Sequence, residues 1–242
     1  MFGSPVNTLC GGELSLFTSA NGLFCGNFKG LQTVNKTRDY GERPSGAFYG
    51  LCSEKNLYPF FYHPVIDASS KHLNTVFEGN ATEYMIDDKE FRLAMQVKAE
   101  GRYNAELRRF TLKNKTRSRK QLTLCAYSEP TLTAERDYTA HPVFMDLFLK
   151  IEYDKESKLF IFYRKERHGN KITACAAGFI EETDFSYCLS KENCGGPTPF
   201  YFFKKALIRE CIDRSVPDPC LFIKSDITLD PGAENKLTLF YC

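Results

Sequence analysis

The pattern that most restricts the fold of this 242-residue chain is an alternation of apolar and polar residues that dominates from about position 91 onwards. In the segment FRLAMQVKAEG, apolar residues recur at every second position: Phe91, Leu93, Met95 and Val97. Successive side chains of a β-strand point to opposite faces, so this spacing places one apolar row against a core and one polar row in water. The segment therefore predicts a half-buried β-strand.

Two further segments, LFLKIEYD and KLFIFYRKE, predict a hairpin. Their alternation favours an apolar row on each strand, formed by Leu147, Leu149, Ile151 and Tyr153 on the first and by Leu159, Ile161 and Tyr163 on the second. Only the short polar sequence YDKESK separates them, and a connection of this kind joins antiparallel neighbours.

Similar polar turns recur at positions 114–120, 167–171 and 230–235, each between two strand-like runs, and the last predicts a terminal hairpin. Connections this short exclude repeated βαβ units, which need long crossovers. Helical windows are scarce: HPVFMDLF, which follows Ala140, predicts one turn, and positions 200–212 fit either a short helix or a strand. We therefore expect one all-β domain over residues 1–242, a large antiparallel sandwich.

Composition and charge are those of a packed domain and argue against two classes of partner. Hydrophobic residues make up 43% of the chain and the net charge is +2, which gives no electrostatic reason to expect nucleic acid or a membrane as partner. The first ten residues lack the basic and apolar regions of a secretory signal, and no apolar run is long enough to cross a membrane. We expect a cytoplasmic protein.

The ten cysteines lie mostly within apolar runs such as LTLCAY and ITACAAG, where a thiol behaves as a small core residue. Cys188 and Cys194 are the two cysteines closest to each other in sequence, and no matched His or second Cys pair completes a zinc site. We expect free thiols and neither a metal nor another cofactor.

Motifs of catalysis are missing from the sequence: it has no phosphate loop, nucleophile elbow, HExxH or dinucleotide fingerprint. The four histidines are far apart in sequence, and no pair of carboxylates stands out as general acid and base, so no catalytic residue is assigned. The basic run RRFTLKNKTRSRK, from Arg108 to Lys120, fits a solvated turn better than a phosphate site.

One loop, NKTRDYGERPSGAFY at positions 35–49, combines charged, aromatic and turn-forming residues. Planar polar side chains and aromatic faces hold sugars, and the loop supplies both in Arg38, Asp39, Tyr40 and Arg43. These four residues are the candidates for contact with a carbohydrate or with a partner domain. The alternative is a surface loop stabilised by a local Arg–Asp pair.

Several segments occur in a familiar order along the chain. The segment LTLCAYSEPTLTAERDYTAHPVFMDLFLKIEY carries two groups of residues, which are Tyr127, Ser128 and Glu129 and then His141, Pro142, Phe144, Leu147 and Phe148. ANGLFCGNF lies upstream, and the downstream segment VPDPCLFIKSDITLDPGAENKLTLFYC contributes Asp218, Pro219, Leu229, Pro231 and Gly232. Together they resemble the SYAE, HPAFxxLF, SNGxY and DPxxxLRxxxxLxPG segments of glycoside hydrolase family 94 phosphorylases and cyclic β-1,2-glucan synthases, which are glycosyltransferase family 36-like enzymes.

The resemblance implies a large antiparallel supersandwich similar to galactose mutarotase-like domains. In that family the catalytic Asp belongs to a separate helical (α/α)6 barrel, which we expect to be absent from this chain. The sandwich packs on that barrel and, in related phosphorylases, helps to form the homodimer and the rim of the sugar site. The expected ligand is a β-linked gluco-oligosaccharide. One departure matters: of the family's ETDRxxFxGR segment, this chain has Glu182, Thr183, Asp184 and Phe185 but not the arginines.

Three functions follow as hypotheses. The first is a carbohydrate-binding, non-catalytic N-terminal sandwich domain of a β-glucan or β-glucoside phosphorylase or cyclic glucan synthase-like enzyme. The second is a free-standing carbohydrate-binding protein. The third is an aldose-epimerase-type enzyme, which would need a suitably placed His and Glu in a groove.

Overall fold

The alternating segments form antiparallel sheets in the computed structural model, which describes residues 5–33, 46–62, 73–165, 171–191, 193–194 and 218–242. Strands account for 62% of the structure and helices for 6%, so the helix content lies far below the roughly one-third of an average domain. The prediction of an all-β, antiparallel fold is confirmed.

The largest sheet has eight strands. In spatial order they are β12 (Leu149–Asp154), β13 (Leu159–Lys165), β14 (Ile172–Phe179), β17 (Glu234–Tyr241), β10 (Ala105–Asn114), β9 (Phe91–Glu100), β8 (Ala81–Asp87) and β7 (Leu73–Glu78). All of its pairings are antiparallel.

Two smaller antiparallel sheets complete the strands of the described residues. The five-stranded sheet has the order β15 (Ser186–Ser190), β16 (Pro219–Leu229), β11 (Lys120–Ser128), β5 (Ala47–Cys52) and β6 (Leu57–Pro59). The four-stranded sheet is β1 (Val6–Gly11), β2 (Leu14–Ser19), β3 (Phe24–Phe28) and β4 (Leu31–Gln32). Two short helices, α1 (Glu135–Ala140) and α2 (Pro142–Asp146), follow β11, and α2 forms the turn that HPVFMDLF predicts.

Both smaller sheets pack on one face of the eight-stranded sheet and share a core with it. The five-stranded sheet contributes Tyr58, whose ring lies 5.6 Å from that of Phe91 on β9. The four-stranded sheet contributes Phe24, whose ring lies 5.3 Å from that of Tyr84 on β8. The predicted apolar row of β9 faces this core, because Phe91, Leu93, Met95 and Val97 are each almost completely buried.

The predicted hairpin between β12 and β13 is present, and β13 and β14 also pair as expected. The turns at 114–120 and 230–235 separate two strands as predicted, but the predicted terminal hairpin at 230–235 was wrong. Residues 114–120 lead from β10 in the eight-stranded sheet to β11 in the five-stranded sheet, and residues 230–235 lead from β16 back to β17. Each of these turns crosses between sheets because both flanking strands find their partners elsewhere in the chain.

The predicted apolar row of β13 was also wrong. Phe160 and Phe162 are completely buried, whereas Ile161 is 36% exposed. Both faces of LFIFY are apolar, so alternation alone does not select the buried one, and packing of Phe160 against Tyr153 and Tyr187 does. Leu147, which was placed on β12, is 58% exposed and precedes the strand.

The nine described cysteines are free thiols, and seven of them are at least partly buried. Cys194 and Cys220 come closest, with 3.7 Å between their sulfur atoms. No helix among the described ranges has the length and apolar character that a membrane span requires.

The thiols supply a prediction about redox state. Alkylation of the unfolded protein without reductant is expected to label many of the ten cysteines, because buried thiols in a reducing compartment stay unoxidised. Intact-mass spectrometry checks this, with a fully reduced sample as control. Several native bridges would contradict the expectation of a cytoplasmic protein.

Candidate functional site

The loop residues singled out by the sequence, Arg38, Asp39, Tyr40 and Arg43, lie outside the described residues. The first described residue after them is Gly46, whose carbonyl oxygen accepts a hydrogen bond from the backbone N–H of Glu129 at 2.6 Å. The strand β5 therefore begins beside the end of β11, where Ala47 pairs with Ser128.

Residues from two of the resembling segments meet at this end of the five-stranded sheet. The ammonium group of Lys191 lies 3.0 Å from Glu129 Oε2 and 3.0 Å from Asp218 Oδ1. The Tyr127 hydroxyl donates a hydrogen bond to Glu129 Oε1 at 2.6 Å. We call Tyr127, Glu129, Lys191 and Asp218 the motif junction. It joins the ends of β11, β15 and β16, so these motif residues hold strands together.

The loop that follows the motif junction contains Thr131, which forms hydrogen bonds to residues on both of its sides. Arg164 on β13 donates from Nε and Nη2 to the Thr131 carbonyl oxygen, at 3.0 and 2.8 Å. The Thr131 hydroxyl donates to the Gln32 carbonyl oxygen at 2.9 Å. These bonds hold Leu132 in the left-handed region, at a φ of 52°, which is uncommon for a bulky side chain. Its side chain is thereby buried in the wall of a cavity.

This cavity, which we call the sheet cavity, has a volume of about 180 Å³ and lies between the four-stranded sheet and the β10–β17–β14 part of the large sheet. Its apolar walls include Leu14, Phe28, Leu31 and Leu132. Its polar lining includes Thr33, Asn104, Glu106, Thr173 and Tyr241. Tyr103, which is 63% exposed, and Cys242, which is also exposed, stand at its rim.

The carboxylate of Glu106 is the main charged group of the cavity lining, and it forms an ion pair with Arg108. Both side chains are almost completely buried on the core face of β10. The Arg108 guanidinium carbon lies 4.1 Å from the ring centre of Tyr49, 4.9 Å from that of Phe24 and 5.3 Å from that of Tyr241. Aromatic faces attract a cation, so the three rings stabilise the buried charge.

Burial by itself pushes the pKa of Glu106 up, to about 8, and the pKa of Arg108 down, to about 10. The direct contact between the two groups opposes both shifts, because each charge favours the ionised form of the other. We therefore treat the pair as ionised at neutral pH, with no net charge. Tyr241 also lines the cavity, and its hydroxyl lies 3.1 Å from Ser128 Oγ and 3.1 Å from the Tyr49 hydroxyl.

The lining of the sheet cavity suits the recognition of a small molecule. Glycoside hydrolysis commonly uses two carboxylates about 5–9.5 Å apart, and Glu106 is the only carboxylate among the described lining residues. No group of three potential metal ligands is found within the described ranges. The arrangement offers hydrogen-bonding groups at one end and apolar walls around them, as in small-molecule sites.

Neither member of the ion pair was among the site residues predicted from the sequence. Arg108 was predicted to begin a solvated basic turn. This prediction was wrong, because the side chain is 1% exposed. The usable signal was the alternation in ELRRFTLK, which places Glu106 and Arg108 on the same face as Phe110 and Leu112. Charged residues at core positions of a strand point to a functional or structural site.

Comparison with known proteins identifies relatives of this fold. The family described as "Glycosyl hydrolase 94, supersandwich domain" matches residues 39–242. No curated protein matches the chain. A solved structure assigned as an aldose 1-epimerase from Escherichia coli K12 superposes with a TM-score of 0.52 and 8% identity, covering 99% of this chain and 98% of that one.

Two further structures have lower scores. A galactose mutarotase related enzyme from Lactobacillus acidophilus has a TM-score of 0.48 and 8% identity, over 98% of this chain and 96% of that one. A protein assigned as a kojibiose phosphorylase from the human microbiome has a TM-score of 0.49 and 6% identity, over 97% of this chain and 29% of that one. The chain thus spans less than a third of that phosphorylase. The epimerase likeness shows the fold alone, which is galactose mutarotase-like as predicted.

Proposed function

This chain belongs to the glycosyl hydrolase 94 supersandwich domain family, and from that membership we propose that it is a carbohydrate-binding, non-catalytic sandwich domain. Its parent would be a β-glucan or β-glucoside phosphorylase or a cyclic glucan synthase-like enzyme. The ligand would be a β-linked gluco-oligosaccharide, and the setting would be cytoplasmic.

The observation that carries this proposal is the sheet cavity with its single, neutralised carboxylate. Sugar hydroxyls need hydrogen-bonding partners, and the C–H faces of a sugar ring need apolar contact. Glu106, Thr33 and Asn104 supply the first, and Phe28 and Leu31 supply the second. Arg108 holds Glu106 as a carboxylate, which can accept hydrogen bonds but has no proton to give to a leaving group.

A helical (α/α)6 barrel of the same enzyme is the proposed partner, and an exposed apolar patch on α2 supports it. Val143 is 74% exposed and Phe144 40% exposed, and Leu147 follows at the end of the helix. Phe144 and Leu147 also belong to the segment that resembles HPAFxxLF. Exposed apolar patches mark surfaces that other proteins cover. A homodimer would use the same kind of surface.

The test is a search for turnover together with a search for binding. The purified chain is expected to show no phosphorolysis, hydrolysis or mutarotation above background, because the described lining residues of the cavity include no acid–base pair. Calorimetric titration with β-1,2-, β-1,3- and β-1,4-gluco-oligosaccharides is expected to give a Kd on the order of 1 mM for the preferred linkage, since one ring is only partly enclosed. A heat-denatured sample is the control for both assays.

The outcomes separate the hypotheses. Turnover that survives further purification would overturn the non-catalytic role, and mutarotation in particular would favour the epimerase hypothesis. The absence of binding to every sugar would overturn the carbohydrate-binding role. Binding by a protein whose gene encodes no helical region after Cys242 would favour a free-standing binding protein. An Arg43→Ala variant with unchanged sugar binding and unchanged barrel docking would contradict the prediction that the loop at 35–49 contacts a carbohydrate or a partner domain.

A further inference from the structure

We propose that the sheet cavity is itself the sugar subsite and that it admits one neutral pyranose ring, whose hydroxyls donate hydrogen bonds to Glu106. This inference rests on the carbohydrate-binding role proposed above, and it adds the place, the size and the charge of the ligand. Four features of the cavity carry it: its unsatisfied carboxylate, its neutrality, its volume and its rim.

The carboxylate of Glu106 has capacity for further hydrogen bonds. Within the described part of the chain, both of its oxygens are buried; Oε1 contacts the Arg108 guanidinium, and Oε2 accepts no hydrogen bond. An ionised carboxylate offers about four lone-pair sites, and buried acceptors are rarely left without donors. A ligand that brings hydroxyl groups to Glu106 would satisfy them.

The charge balance of the cavity selects a neutral ligand. Glu106 and Arg108 cancel each other, and the remaining lining residues given above are uncharged. A cation would have to compete with Arg108 for the carboxylate, and an anion would meet the carboxylate directly. A polyhydroxylated ring carries no charge and has donors to give.

The volume suits one ring. A buried apolar cavity of about 150 Å³ accommodates benzene. The sheet cavity, at about 180 Å³, is slightly larger and has polar groups at one end, so a six-membered ring with hydroxyl substituents is the matching shape. Gly26 makes room for the Thr33 hydroxyl beside Glu106, since a Cβ at position 26 would lie 2.3 Å from Thr33 Oγ1 and 3.3 Å from Glu106 Oε2.

The rim limits what else can enter. Tyr103 and Cys242 are exposed beside the cavity, so a second ring of an oligosaccharide would lie outside it, next to the Tyr103 ring. The cavity therefore recognises a terminal residue of a chain. Amphipathic aromatic side chains such as Tyr103 often pack against ligands at the edge of a site.

Two variants on one strand test the location. Thr173 on β14 lines the cavity, whereas its neighbour Ile172 is exposed and is not among the lining residues. Thr173→Phe is expected to fill the cavity and raise the Kd for methyl β-D-glucopyranoside about tenfold or more. Ile172→Phe adds the same ring to the same strand and is expected to leave the Kd unchanged. Thermal unfolding shows whether both variants are folded.

A second measurement needs no variant. Cys242 lies at the rim and Cys10 is exposed on β1, away from the cavity lining. With methyl β-D-glucopyranoside at about four times its Kd, roughly four-fifths of the protein is occupied, so maleimide labelling of Cys242 is expected to slow about fivefold. Labelling of Cys10 should not change.

The outcomes distinguish this inference from the function on which it rests. Two results would overturn the cavity as the subsite while the carbohydrate-binding role stands. The first is a Thr173→Phe variant that binds the sugar with the wild-type Kd, and the second is sugar binding to the wild type that leaves Cys242 unprotected. Binding that Thr173→Phe abolishes, together with protection of Cys242, supports both. The absence of sugar binding in the wild type would overturn both.

Discussion

Arg108→Met is expected to lower the free energy of unfolding by about 3–5 kcal/mol, because the buried Glu106 carboxyl loses its counter-charge and must stay ionised without it or take up a proton. It also removes the cation held between the rings of Phe24, Tyr49 and Tyr241. Urea denaturation at neutral pH measures the loss.

Two control variants isolate the cause. Arg109→Met removes the same charge from the next residue of β10, which is exposed on the opposite face, and should change stability by no more than about 0.5 kcal/mol. Glu106→Gln combined with Arg108→Met removes both charges and should recover part of the loss, since no bare charge remains. Equal losses for Arg108→Met and Arg109→Met would show that the ion pair is not desolvated.

The loss in Arg108→Met should depend on pH in a defined direction. Burial raises the pKa of Glu106 from an ordinary value of 4.5 to about 8, and without Arg108 nothing opposes that shift. A carboxyl whose pKa is higher in the folded state stabilises the fold while it is protonated and loses that contribution as the pH rises through the folded value. The variant should therefore be closest to wild type at about pH 5 and furthest from it above pH 8.

Alternation in the sequence was enough to predict the class of fold but not the assignment of strands to sheets. The apolar row of β9 faces the core as predicted, because its opposite face is polar. The turns at 114–120 and 230–235 look like hairpin turns in composition. Neither turn joins two paired strands, since β10 pairs with β9 and β17, and β16 pairs with β11 and β15. Turn residues specify a change of direction, whereas partner choice depends on non-local packing.

The candidate site was less predictable than the fold for a related reason. The loop with Arg38 and Arg43 was predicted to contact a carbohydrate because its planar polar and aromatic side chains are typical of sugar sites. Those residues lie outside the described ranges. Glu106 and Arg108 occupy core positions that composition alone assigns to apolar residues. Their burial is explained by the pairing of the two charges and by the aromatic rings around Arg108, and those rings come from strands far apart in sequence.

The motif junction shows what the resembling segments do in this chain. Glu129 and Asp218 were recognised as motif residues, but their meeting at Lys191 could not be read from the sequence. Because the junction anchors the loop that carries Leu132 into the cavity wall, motif residues can shape the sheet cavity without lining it.

Gly22→Ala is expected to lower the free energy of unfolding by about 2–5 kcal/mol, through backbone strain and steric overlap together. Gly22 has a φ of 77°, in the left-handed region that glycine tolerates. A Cβ at this position would lie 2.3 Å from the Phe60 carbonyl oxygen and 2.5 Å from Phe61 Cα, so backbone would have to move. The turn between β2 and β3 is fastened to that segment by the Tyr62 N–H, which donates to the Asn21 carbonyl oxygen at 2.8 Å.

Gly30→Ala is the matched control, because Gly30 has a similar φ of 83° and a Cβ there would meet no atom within 4 Å. It carries the cost of the left-handed conformation alone, about 1–2 kcal/mol. Chemical denaturation of both variants therefore separates strain from close approach, and the excess loss in Gly22→Ala measures how tightly the four-stranded sheet is held against residues 60–62. Equal losses in the two variants would mean that the β2–β3 turn does not pack on that segment as the structure places it.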